Sequence, residues 1–509
     1  MSSGAVHGPF TTWRWVAAVR AATAAYPAAP PYHPDHAYRE YAFGESATSA
    51  EPNAAYAAVR EAFSLLGLDA PRFGTAAWNP LGDLLQPGHR VVLKPNFVRH
   101  FADPGGDLEA LVTHGSVIRA VADYAFLALQ GRGEVVVADA PNNDGDFATI
   151  ARMVHLLEIV AFYKDHGLRL EPVDIHREWV VKTEGIISHV YHVPGDPRGY
   201  RVVNLAQDSE FARIPWAYGR LRGADYDMDA TTLHHNERVN EYLISGSVMD
   251  ADLIINLPKF KTHKKAGVTM SLKNLVGING DKNWLPHHRE GVPVEGGDQY
   301  ADSDGKRRLE QRLVAQFKRT LARADVPANV ATVSLKRLGR RVFGDTNGGT
   351  IRSGNWHGND TTWRMVLDLN RAALYADAAG DLHTTPQRHY LTVLDGIVGG
   401  DRNGPMQPRR REVGLVAASL NPVALDVAGA RLMGFDWRKL AQLTEACRDH
   451  PYPLARFSGD DVEVLSNETA WRGRVGELRG PLLAFEPHFG WKGRLELFDP
   501  SDAGAREAG

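Results

Sequence analysis

Cysteine is almost absent: Cys447 is the single one in 509 residues. That excludes disulfides within the chain, cysteine-rich zinc sites and iron–sulfur clusters held by four thiolates. Long apolar runs are missing too, since none approaches the roughly 18 residues of a membrane helix. The first 34 residues have an Ala-rich patch with polar interruptions and little preceding charge, a poor signal peptide, so the cytoplasm is the expected location. Charge of one sign is not in excess. A net charge of −3 argues against nucleic acid as a partner of the whole surface, and leaves room for local basic patches. Neither the dinucleotide fingerprint GxGxxG after a strand nor the phosphate loop GxxxxGK[ST] occurs. What is present, 43% hydrophobic and 23% charged residues, suits a globular chain with one large core or two ordinary ones.

Apolar spacing gives the organisation. Residues 1–50, rich in Pro, Ala and Tyr, are expected as an extended arm. Ala54, Val59, Phe63 and Leu66 then suit an amphipathic helix. Val91–Leu93 reads as a short strand. Thr113 or Ser116 is placed to cap a helix ending at Gly131, and EVVVADAP is a second buried strand. This succession indicates an α/β protein with a largely parallel sheet flanked by helices. The main domain is expected over 51–281 and 361–450, interrupted by an insertion at 282–360 and followed by tail segments over 451–509. Within the insertion, Leu309, Leu313, Phe317 and Leu321 share one helical face ringed by arginine and lysine. The basic helix over 306–323 is either a solvated face or, with the positive charge of 334–341, a contact over 306–341 for an anionic membrane or lipid-linked substrate.

Ligands of open α/β sheets collect beyond the carboxyl ends of strands. There this sequence places Lys94-Pro-Asn96, Asp139, Asn256-Leu-Pro-Lys259, Asp395 and Ser419-Leu-Asn421. The densest stretch is NLPKFKTHKKAGVTMSLKNLVG, residues 256–277, with five lysines. Lys259, Lys261, His263, Lys264, Lys265 and Lys273 cannot all be buried unpaired, because a desolvated ammonium is very costly. They must meet water, carboxylates or a bound anion. The bland reading, a solvated loop, suits Lys264 and Lys265; packed neighbours make it fit Lys259, Lys261 and Lys273 less well. Hydroxyls and amides nearby are usual partners of phosphate or carboxylate oxygens. Lys94 and Asn96 repeat the theme, and both lysine segments belong at one rim. His114, His263, His287 and His288 are candidate general bases, with at most one of the last two expected at the same ligand. Asp139, Asp395 and Asp426 are candidates for metal ligation, acid–base work or plain ion pairing. Residues 399–408, GGDRNGPMQP, read as a flexible loop whose backbone and Arg402 could cradle an oxyanion.

Taken together and in order, VVLKPNF, VVVADAP, DADLIINLPKFKTHKKAGVTMSLKNLVGING, LTVLDGIVGGDRNGP and GLVAASLNPVALDVAGARLMG resemble the family called domain of unknown function 362, over about Glu51 to Trp437. The resemblance implies an α/β protein and carries no mechanism. Its recurrent positions correspond to Lys94, Asn96, Asp139, Lys259, Lys261, His263, Lys273, Asn274, Asp395, Asn403 and Asp426. Many such relatives carry ferredoxin-like cysteine clusters, which one cysteine cannot supply. The stretch NWLPHHREG resembles a bacterial subgroup associated with cell-surface polysaccharide gene sets.

The expectation is an enzyme gripping an anionic small-molecule substrate through a phosphate or carboxylate. Lys94, Asn96, Lys259, Lys273, Asn274, Arg402 and Asn403 would bind it. His263 would lead proton transfer, with Lys261 and Asp139 beside it. Asp139 and Asp395 would orient lysines or hold a magnesium-like ion. The competing classes are a non-catalytic anion or lipid-headgroup binder peripheral to the inner membrane, and a redox protein with an organic cofactor.

Overall fold

The computed structural model describes residues 10–183, 186–223, 228–302 and 349–497. The protein has an α/β fold built on one eleven-stranded mixed sheet. In chain order its strands are β1 (Trp15–Arg20), β2 (Arg90–Pro95), β3 (Glu134–Asp139), β4 (Leu170–Asp174), β5 (Leu253–Leu257), β6 (Lys259–His263), β7 (Gly267–Thr269), β8 (His389–Asn403), β9 (Gln407–Ser419), β10 (Glu463–Ser466) and β11 (Gly473–Arg474). Across the sheet the order is β11-β10-β1-β9-β8-β5-β2-β3-β4, with β6 pairing β7 and the outer half of β8. From β8 through β5, β2 and β3 to β4 every pairing is parallel.

Alternation along these strands divides the core. Val91, Leu93, Val135, Val137, Leu253 and Ile255 face one side, with helices α1 (Ala54–Leu65) and α2 (Gly115–Leu129). Val92, Val136, Ala138 and Ile254 face the other, with α3 (Thr362–Tyr375) and α4 (Pro422–Met433). Strands buried on both faces are the apolar runs that parallel sheets require. Asn53 caps α1 through the Tyr56 amide, and Asn421 caps α4 through the Val423 and Ala424 amides.

Beyond β2 the chain crosses through α2 to β3 and then β4 on one side, while β5 and β8 lie on the other. The connection therefore reverses between β2 and β5, where a crevice opens at the strands' carboxyl ends.

Several segments sit differently from their sequence reading. Residues 10–50, expected as an arm, supply β1 between β9 and β10, because WVAAVR is apolar enough to be buried on both faces. The tail beyond 451 supplies β10 and β11. The lysine-rich segment, read as a loop, is β6 and β7. Residues 399–408 are the tip of the long β8–β9 hairpin. The basic helix and the proposed contact over 306–341 lie outside the described residues. Among the described residues no helix is long and apolar enough to cross a membrane.

Candidate functional site

A cleft of about 850 Å³ opens at the reversal point. It is lined by the end of β2 and the loop after it (Lys94, Asn96–Arg99), by the loop after β3 (Asp139–Asp144), and by the hairpin tip at Pro405–Gln407. Side chains between His263 and His287, Lys273 and Lys282 among them, complete the wall. Lys182 reaches it from a separate two-stranded hairpin, Glu178–Thr183 with Ile186–His192.

The strand β6 shows how the lysine segment is used. In an extended strand alternate residues share a face, and Lys259, Lys261 and His263 leave Phe260 to the apolar core. All three are buried, yet each meets a different environment. The Lys259 ammonium is fully buried against Asp395 at 3.0 Å and donates to the Tyr26 hydroxyl at 2.5 Å. Tyr26 in turn donates to Asp395 at 2.6 Å and stacks on His114. Lys261 donates to Asn96 Oδ1 at 2.7 Å and to the Leu111 carbonyl. Burial, with Lys259 and Lys273 close by, pulls its pKa well below the usual lysine range. Of the three, only His263 reaches the cleft.

Lys94, on β2, pairs with Asp139 at 2.9 Å, and Asp139 also accepts the Phe97 amide at 2.7 Å. Asn96, Asn274 and Asn256 form an amide chain: Asn96 Nδ2 donates to Asn274 Oδ1 at 2.6 Å, and Asn274 Nδ2 donates to Asn256 Oδ1 at 2.7 Å. Asn274 sits with Lys273 on the one-turn helix Ser271–Asn274. Asp426 of α4 holds that turn by accepting the Ser271 and Leu272 amides at 2.7 and 3.0 Å.

Seven cationic side chains line the cleft against three aspartates. The aspartates are all engaged: Asp139 by Lys94, Asp103 and Asp144 by Arg99, and Asp144 again by Lys182. Among the described residues Lys264 and Lys273 have no side-chain partner, and Lys282 reaches only the Val276 and Asn279 carbonyls at 3.3 and 3.4 Å. Burial, together with Lys282 and Lys94, lowers Lys273 to about 7. Burial lowers Lys282 to about 8, with Lys94 adding to the effect.

The two histidines of the cleft are fixed in complementary tautomers. His263 Nδ1 accepts the Lys265 and Ala266 amides at 3.0 and 3.1 Å, so the proton of the neutral ring is on Nε2. His287 Nδ1 lies 2.8 Å from the Leu285 carbonyl, which accepts its proton and leaves the lone pair on Nε2. Burial and the surrounding lysines hold both far below the usual histidine range, hence neutral. His263 is therefore a donor to an anion, and the proton acceptor is His287.

Of the residues singled out from sequence, the cleft gathers Lys94, Asn96, Asp139, His263, Lys273, Asn274 and His287. It does not gather Lys259 or Asp395, which neutralise one another beneath Tyr26, nor His114, which stacks on that tyrosine. Lys261 lies behind Asn96 and acts as its support. Arg402 is spent on Glu486 at 3.0 Å, and Asn403 donates to Gln407 at 3.3 Å; neither lines the cleft. Asp139 and Asp395 each orient a lysine, Lys94 and Lys259 respectively. Among the described residues no group of three or more His, Cys, Asp or Glu side chains converges as a ligand set. Sequence reading missed Lys182 and Lys282, for which residue type and spacing gave no signal, and of the stretch 399–408 it named Arg402 where the cleft takes Gln407.

Residues 208–431 match the family model described as "Domain of unknown function (DUF362)". This segment is similar to that family. The DUF362 match begins after β4, so Lys94, Asn96 and Asp139 stand outside it. The chain is also similar to the thylakoid-associated protein sll1697 of Synechocystis sp., 24% identical over 356 residues. That alignment covers 70% of this chain and 66% of the relative, just under two thirds of its length. No solved structure matches.

Proposed function

We propose that the chain is an enzyme whose cleft binds a phosphate- or carboxylate-bearing small molecule. The supporting observation is the set of Lys264, Lys273 and Lys282 around one cavity without a carboxylate partner. Buried like charges repel and lose hydration, and such perturbed groups in a concave site mark functional positions. An anion would restore the missing counter-charge. The His263 Nε2–H adds a neutral donor, and His287 supplies a base in the same cavity.

Calorimetric titration with sulfate and with pyrophosphate tests this reading. Lys264→Gln and Lys273→Gln should each weaken binding by about 10- to 100-fold, the equivalent of one charge-assisted hydrogen bond. Arg402→Gln, away from the cleft, should leave it unchanged. Affinity equal to that of the parent chain in both lysine variants, with an unaltered melting temperature, would overturn the proposal.

The relative's name, a thylakoid-associated protein, favours a second reading: an anion or lipid-headgroup binder at a membrane surface. Salt-sensitive co-sedimentation with anionic vesicles, lost on deleting residues 306–341, would support it over the first.

A further inference from the structure

Lys273 differs from every other amine in the cleft. Lys94 has Asp139, Lys182 has Asp144, and Lys282 has two carbonyls. Lys264, also without a direct partner, lies among charges of both signs, Asp103 and Asp144 against Arg99 and Lys182. The charged side chains that act most on Lys273 are cations, Lys282 and Lys94. It lines the same cavity as the two neutral histidines, one presenting N–H and the other a lone pair. Its backbone is clamped, because Asp426 caps its helical turn and Asn274 beside it is tied into the amide chain.

We propose that Lys273 is an imine-forming lysine and that the substrate is an aldehyde or ketone carrying a phosphate or carboxylate. This rests on the anion-binding reading of the cleft and narrows it. A desolvated amine next to other cations gives up its proton more readily, and the free amine is the form that attacks a carbonyl. Burial beside Lys282 and Lys94 brings Lys273 to about 7, in keeping with that placement. Lys264 and Lys282 would hold the substrate's anionic group.

In the addition step the Lys273 nitrogen bonds to the carbonyl carbon, and the carbonyl π pair moves to oxygen. The His263 Nε2–H donates a hydrogen bond to that oxyanion and keeps its proton. His287 Nε2 takes one proton from the nitrogen and passes it to the oxygen, which gives a neutral carbinolamine. Dehydration then breaks the C–O bond as the nitrogen lone pair forms C=N. The departing hydroxide takes the second nitrogen proton, again relayed by His287, and leaves as water. Both protons of the amine thus end in the water, and carbonyl compound plus amine balance imine plus water without any oxidant or reductant.

Pyridoxal 5′-phosphate, an anionic aldehyde, is the probe, with borohydride to fix the adduct and peptide mass mapping to locate it. At about pH 8 the full chain should be labelled at Lys273 on the order of a hundredfold faster than at surface lysines, following the difference in free-amine fraction. Sulfate should compete. Lys264→Gln should keep labelling at Lys273, only more weakly. Lys273→Arg, which retains the charge, should abolish the adduct while still binding pyridoxine 5′-phosphate, the alcohol analogue. Labelling spread equally over Lys264, Lys265 and Lys282 would overturn the inference. So would an unlabelled Lys273 in a protein that binds pyridoxine 5′-phosphate, and there the anion reading survives. Failure of both probes to bind would remove both readings.

Discussion

Lys94 and Asp139 meet at 2.9 Å beside the cleft, with the backbone of Gly277 laid against both partners. A methyl group on Gly277 would overlap the Asp139 carboxylate and stand 2.7 Å from the Lys94 ammonium. The Gly277 carbonyl is meanwhile held by the Ala140 amide at 2.9 Å, so the chain cannot easily retreat. Gly277→Ala should therefore separate the pair. Breaking a buried ion pair costs about 3–5 kcal/mol, to be read as a lower midpoint in urea unfolding. An unchanged midpoint would show that the pair tolerates displacement.

Tyr26 lies over Lys259 and Asp395, and its hydroxyl contacts both. Tyr26→Phe leaves the two buried charges one hydrogen-bond partner short. The expected loss is about 1–3 kcal/mol of stability, with sulfate affinity intact. A variant of normal stability and reduced affinity would instead place this cluster at the binding site.

Sulfate keeps its double charge throughout the neutral range, so its binding reports the titration of the protein. Lys273 and Lys282, lowered to about 7 and about 8, bind an anion in their protonated forms. Affinity should be greatest below pH 7 and fall as pH rises through 7 to 8, by up to about tenfold per unit for each coupled lysine. Stability of the unliganded chain moves the other way. Between these values and the ordinary 10.5 the unfolded chain holds protons that the folded chain lacks, so the two lysines make stability rise with pH there. A sulfate constant that stays level from about pH 6 to about pH 9 would remove both lysines from the site.

Asp426 links α4 to the turn bearing Lys273. Asp426→Ala removes a cap worth about 1–2 kcal/mol and frees Lys273 and Asn274 from their positions. Sulfate affinity should drop together with thermal stability, and Asp426→Asn, which keeps one acceptor oxygen, should fall between. If affinity holds while stability drops, the turn keeps its shape without the cap.

The parallel sheet was legible because Val91–Leu93, Val135–Val137 and Leu253–Ile255 are apolar on both faces, a pattern that water-facing strands do not share. Lys94, Asn96 and Asp139 were legible because strand ends are where such a sheet keeps its ligands, and Lys273 and Asn274, on a helical turn, because cations and amides crowd their segment. The fate of each lysine was not. Lys259 and Lys261 are two residues apart on one strand, yet one meets an aspartate 136 positions away and the other an amide 165 positions away. Such pairing is set by tertiary packing and leaves no local trace. Lys182 was hidden for the same reason, as it arrives from an unrelated hairpin. The tautomers of His263 and His287 depend on backbone amides and carbonyls, about which side-chain spacing says nothing.

The boundary at residue 208 cuts through the sheet. Strand β5 lies inside the matched segment, and its neighbour β2 lies outside, joined through pairs such as Leu253 with Val91 and Asn256 with Lys94. Excising 208–431 would strip β5 of that neighbour and bare an apolar strand edge prone to self-association. What sequence comparison delimits as one module is thus half of a physical object, and an expression trial of that fragment should yield aggregate where the whole chain yields protein.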